Sequence, residues 1–243
     1  MKRRDPFKTA QSFIKENYPE CEGALLAGST VRGQTTSTSD LDIVVFSGKV
    51  AYAFRKSLTY NGWPVEVFVY NLNSYRDFFK SDADRGRACL QRMVKEGKIL
   101  ADSGLITRIK KEAEESLNAG PAEWDEPMLR MKQYFLTDLL DDFTGSDDRG
   151  EGIFIAGSLG EAVHEFLLRT NGKWIGASKW IVRSLNEYDE SMAKHFINAF
   201  DTYYRTGEKG EVISFVEDVL EPFGGRLFEG FSIGKEQEIY RRC

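Results

Sequence analysis

The sequence predicts an α+β fold, an α/β sheet with flanking helices over residues 1–120, followed by an all-helical domain over residues 121–243. Three observations lead there. Short apolar runs in the first 70 residues read as strands and combine with a helical stretch near the start. From about residue 74 onward the apolar spacing turns helical and stays so. Between these regions, AGPAEWDEP (119–127) holds a glycine and two prolines and reads as a linker.

In order along the chain, Phe7, Ala10, Phe13 and Ile14 recur at helical spacing between Pro6 and Tyr18. Ala24 to Ala27 is a short apolar run that stops at Gly28 and reads as a strand turning into a helix. Leu41 to Phe46 is a second, β-branched strand, ended by Ser47-Gly48. Ala51 to Tyr60 can run extended into Asn61-Gly62, a strong hairpin signal. The next strand, WPVEVFVYN, sets Val65, Val67 and Val69 on one face and Glu66, Phe68 and Tyr70 on the other. Helices are expected at Tyr75 to Phe79, Ala88 to Val94 and Leu105 to Leu117. Past the linker come Met128 to Phe143, Ile153 to Arg169, Lys179 to Leu185, Ser191 to Tyr204 and Glu211 to Leu220.

With 243 residues, 41% hydrophobic and 29% charged, the chain has the composition of an ordinary globular protein. A formal net charge of −5 gives no global positive field, so nucleic acid is not the expected partner. Cys21, Cys89 and Cys243 are odd in number and widely spaced, which fits reduced thiols better than a disulfide framework. MKRRDPFKTA lacks the apolar stretch of a secretory signal, and no apolar run reaches membrane-spanning length. A cytoplasmic protein with no membrane partner is the expectation; a homodimer stays open.

The chemistry concentrates in AGSTVRGQTTSTSDLDIVVF, residues 27–46. Asp40 and Asp42 sit two residues apart, so on a strand both side chains leave the same face. Like charges that close are costly unless a positive partner lies between them, and Mg²⁺ prefers carboxylate and phosphate oxygens. Glu66, on the polar side of its strand, can reach the same patch, which makes a two-metal phosphoryl-transfer site conceivable. At the Gly28-Ser29 pair, a strand turning into a helix exposes backbone N–H groups suited to phosphate.

Gly28-Ser29-Thr30-Val31-Arg32-Gly33, a six-residue spacer and Asp40-Leu41-Asp42 together resemble the signature of the DNA polymerase β-like nucleotidyltransferase superfamily. Glu66 within Val65-Glu66-Val67 matches its third acidic position, and Trp63 to Tyr70 is similar to kanamycin-type antibiotic nucleotidyltransferases. The resemblance implies a nucleotidyltransferase sheet in which Asp40, Asp42 and Glu66 bind Mg²⁺. It also implies that Gly28, Ser29, Arg32 and Ser39 handle an NTP, with ATP the expected one, and that pyrophosphate is released. After the expected helix Ile153 to Arg169, Gly172-Lys173-Trp174 resembles the Gly-Lys-Trp of kanamycin-type enzymes, whose lysine contacts the triphosphate. Lys173 takes that position, although Asn171-Gly172 equally reads as a helix stop with a nearby cation. Those enzymes carry a catalytic glutamate four residues before the lysine, where this chain has Arg169. Arginine is not a base at neutral pH, so Glu165, one turn earlier, is the candidate base or acceptor ligand; an ordinary solvated helix glutamate is the competing reading.

His164 and His195 lack a shared metal-ligand spacing, and Trp174 and Trp180 suit core packing. Asp138, Asp141 and Asp142, like Arg85, Arg87 and Arg92, fit solvated faces. The expected function is transfer of a nucleoside monophosphate from Mg-NTP to a hydroxyl of a small-molecule, antibiotic-like acceptor bound by the helical domain. The alternatives are a toxin–antitoxin type enzyme that modifies protein or tRNA, and an inactive nucleotide-binding module.

Overall fold

A computed structural model describes residues 3–234. Cys243 and the first two residues of the N-terminal stretch therefore lie outside the described residues. The chain divides between Ala122 and Glu123 into two compact units, a mixed five-stranded sheet with flanking helices and a set of helices.

In the first unit, α1 (Pro6–Asn17) starts where the Asp5 carboxylate accepts the Lys8 N–H at 2.8 Å, with Pro6 in the first turn, where its missing N–H costs nothing. Four strands follow: β1 (Gly23–Ala27), β2 (Leu41–Phe46), β3 (Phe54–Tyr60) and β4 (Trp63–Tyr70). Then come α2 (Ser74–Arg85), α3 (Cys89–Glu96), β5 (Lys98–Asp102) and α4 (Ile106–Ala119). The strand order is β3-β4-β2-β1-β5, with β2 and β4 parallel and the other pairs antiparallel.

Strand alternation gives the sheet two apolar faces. Leu41, Ile43, Val45, Val65, Val67 and Val69 face Phe13 and Ile14 of α1. Leu25, Val44, Phe46 and Tyr70 join Tyr75, Phe79, Leu90, Val94, Ile106 and Ile109 from α2–α4 on the other. The β3–β4 turn has positive φ at both Asn61 (49°) and Gly62 (79°), the geometry that matches hairpin twist.

Two expectations are corrected here. The pattern after residue 74 is not helical throughout, because Lys98–Asp102 forms β5, an antiparallel edge strand on β1. Five residues between two helices, mostly exposed or half-buried, are too short to display a period-2 pattern. Nor does the chain enter a helix after Gly28: residues 29–33 form a turn. The Gln34 N–H donates to the Ser29 carbonyl at 3.1 Å and the Thr30 hydroxyl to that of Ala27 at 3.2 Å. TVRGQTTSTS supplies short polar groups that bond locally and no apolar stripe to bury, so a turn wins.

The second unit holds α5 (Glu126–Gly145), α6 (Arg149–Thr170), α7 (Trp180–Tyr188), α8 (Glu190–Thr206) and α9 (Gly210–Leu220). Asp125, Asp148 and Asp189 cap the first turns of α5, α6 and α8 through their carboxylates. Leu136, Leu140, Phe143, Leu159, Phe166, Phe200, Phe215 and Leu220 belong to one shared core. Among the described residues no helix is long and apolar enough to cross a membrane.

Candidate active site

The site is built at the ends of three neighbouring strands. Asp42 pairs in register with Ala27 of β1 on one side and with Glu66 of β4 on the other, so the two acids stand side by side on one face. Deeper on that face lie Val44 and Phe68, which makes the acids the polar rim of an apolar surface. Asp40, one residue ahead of β2, shares their side. One carboxylate oxygen from each of Asp40, Asp42 and Glu66 lies within 4.8 Å of the others, and all three residues are half-buried. Among the described residues this is the one group of three with metal-ligating spacing.

The electrostatic strain falls on Asp42. Its pKa is pushed up to about 6, first by burial, then by the charges of Asp40 and Glu66, against the pull of Arg32 and Arg55. The donor set is all hard oxygen, the chemistry that suits Mg²⁺. Gly28 adds a second sign of fit: it has φ +75°, and a Cβ there would fall 1.9 Å from Asp42 Oδ2. Only glycine lets the β1 turn come this close to the acid, leaving a cradle beside the carboxylates that any other side chain would fill.

The loop from Gly28 to Asp40 is held by its own polar groups. Ser39 is buried, and its hydroxyl accepts the Thr36 N–H at 2.8 Å and the Ser29 hydroxyl at 3.3 Å. Its carbonyl accepts the Arg3 guanidinium at 2.9 Å, tying the loop to the start of the chain. Arg32 is drawn to the α3 end, where it pairs with Glu96 at 2.9 Å. Thus Ser29, Arg32 and Ser39 all lie on one organised loop next to the acids.

Glu165 and Lys173 belong to the second unit. Glu165 pairs with Lys132 of α5 at 2.8 Å, and both side chains are mostly covered. Arg169 is buried, its guanidinium 5.0 Å from the Trp124 ring centre, and its pKa is lowered by burial. Lys173 is exposed just beyond the α6 stop, where the Gly172 N–H donates to Arg169 O (3.1 Å) and the Lys173 N–H to Leu168 O (2.8 Å). His164 is buried, its ring nitrogens facing the Glu161 and Gly176 carbonyls; Trp174 is buried and Trp180 partly so.

Sequence reasoning passed over Arg55, which forms an ion pair with Glu66 and lies 4.9 Å from the Phe68 ring centre. The signal was available. Counting back from the Asn61-Gly62 turn pairs Tyr60 with Trp63 and Ser57 with Glu66, which sets Arg55 on the face of the acids. Glu96 and Lys132, the partners of Arg32 and Glu165, carried no such signal, since 64 and 33 residues separate the pairs.

Residues 8–115 match the model of a family described as a nucleotidyltransferase domain. A solved structure, a nucleotidyltransferase-like protein from Exiguobacterium sibiricum, is similar at 13% identity and a TM-score of 0.46, covering 89% of this chain and 74% of that one. No curated protein matches the chain.

Proposed function

We propose that the nucleotidyltransferase domain formed by residues 8–115 transfers a nucleoside monophosphate, AMP in the first instance, from an Mg-NTP to a hydroxyl of a small-molecule acceptor, releasing pyrophosphate. The observation that carries this reading is the meeting of Asp40, Asp42 and Glu66 within 4.8 Å, beside a glycine whose side chain would collide with Asp42.

Asp40, Asp42 and Glu66 would hold the divalent cation. Mg²⁺ bound there supplies charge stabilisation at the phosphate oxygens and lowers the pKa of an attacking hydroxyl. Asp42, desolvated by burial and repelled by its two acidic neighbours, gains from a positive partner. Gly28 admits the phosphates close to the backbone, and the N–H groups of the turn after it are the donors at hand. Arg32, braced by Glu96, adds positive charge on the same loop. Glu66 is fixed by its strand neighbours, so the acid constellation is set before any nucleotide arrives. The helical unit is assigned the acceptor, in keeping with the kanamycin-type resemblance; Glu165, already paired with Lys132, serves as an acceptor contact more readily than as a base.

The test is a pyrophosphate-release screen with each NTP against hydroxyl-bearing small molecules, comparing wild type with Asp42→Asn. The variant keeps the fold and loses turnover by roughly 10²–10³-fold or more. Wild-type turnover in Asp42→Asn sinks the assignment of the acids.

A further inference from the structure

Arg55 forms an ion pair with Glu66, and its position invites two explanations. Charges on an edge strand block pairing with other chains, and β3 is an edge strand with mostly exposed side chains. Lys56 performs that service from the opposite face. Arg55 does something more specific: it crosses from Phe68, its register partner, to the Glu66 carboxylate of the acid cluster.

We propose that Arg55 is a displaceable counter-ion that neutralises Glu66 until a divalent cation takes that carboxylate, so guanidinium and cation compete for it. The inference rests on the metal-holding role assigned above to the acids. Three carboxylates this close need positive charge even when no cation is bound. Glu66 has its supply from the neighbouring strand, while Arg32, the other basic group acting on Asp42, is engaged with Glu96. A cation among the three acids repels a guanidinium on the same carboxylate. Arg55 can give way at little cost, because its side chain is 56% exposed and the Phe68 ring offers a resting face 4.9 Å away. The Arg85–Asp82 pair shows the contrast: its carboxylate is 2% exposed and also accepts the Leu90 N–H, so that arginine could not leave without stranding a buried charge.

The experiment measures Mn²⁺ binding to the full chain without nucleotide, by electron paramagnetic resonance or calorimetry. Arg55→Ala should bind Mn²⁺ on the order of three- to tenfold more tightly than wild type, the scale of losing one partly exposed competing charge. Arg55→Lys, which keeps the charge and controls for folding, should lie between the two. In a Glu66→Gln background the gain from Arg55→Ala should vanish. Equal or weaker binding by Arg55→Ala overturns the proposal, because it makes the arginine a support for Glu66 and not its competitor. A gain that persists with Glu66→Gln overturns it too. Wild type that binds no Mn²⁺, or Asp42→Asn that binds as well as wild type, removes the underlying reading of the acids, and this one with it.

Discussion

Both units pair charges, but only the sheet unit gathers three like charges in one place among the described residues. In the helical unit, charged groups meet partners: Lys132 with Glu165, Arg226 with both Asp141 and Glu217, and buried Arg169 against Trp124. In the sheet unit, three carboxylates share one rim, and the counter-charges that act on Asp42 come from a loop and an edge strand. That rim of like charges, more than the fold, is what marks the sheet unit as the proposed seat of the chemistry.

The sharpest way to break the comparison is to fill the cradle. Gly28→Ala forces a Cβ into the Asp42 carboxylate at a φ that alanine rarely adopts. Turnover should fall by roughly 10²-fold or more, with a stability loss of about 1–3 kcal/mol, read by pyrophosphate release and urea unfolding. Retained turnover removes the idea that this glycine shapes the site.

A middle-sized effect separates the units by pH. Asp42 has its pKa raised to about 6 from 3.8, so the folded metal-free protein binds that proton before the unfolded chain does. Its contribution favours folding below 3.8 and is lost as pH rises through about 6. Buried His164 has its pKa lowered from 6.5, so its contribution is present above 6.5 and lost on acidification. Thermal melts in chelator from pH 7 to 4 should show wild type gaining on Asp42→Asn and losing ground to His164→Gln. Parallel curves for the two variants would erase the contrast.

The smallest effect belongs to Lys132→Ala, which removes the ion-pair partner of Glu165. A pair that keeps about a quarter to a third of its side-chain surface in solvent is worth about 1 kcal/mol or less in stability, and turnover with a working acceptor should move by less than about tenfold. A hundredfold change would promote Glu165 from acceptor contact to base.

Much of this was legible before the structure. Asp40, Asp42 and Glu66 were readable because strand periodicity fixes which residues share a face, and the Asn61-Gly62 turn announces its hairpin. The rest was hidden for physical reasons. β5 has too few residues to display a period, and it becomes a strand by pairing with β1, a partner more than 70 residues away. The polar loop after Gly28 replaces a helix because its hydroxyls bond one another, as Thr36 and Ser39 do. Lys132 and Glu165, 33 residues apart, meet because the consecutive helices α5 and α6 pack side by side, which no local pattern records.

The Asn61-Gly62 turn acts as a gauge for the site several residues away. Its two-residue length decides that Arg55, and not Lys56, shares a face with Glu66. One residue added there would slide β3 by one position and present the acid rim with a different cation on a different stem. The charge balance of the site is thus written as a length, in a turn that touches none of the acids.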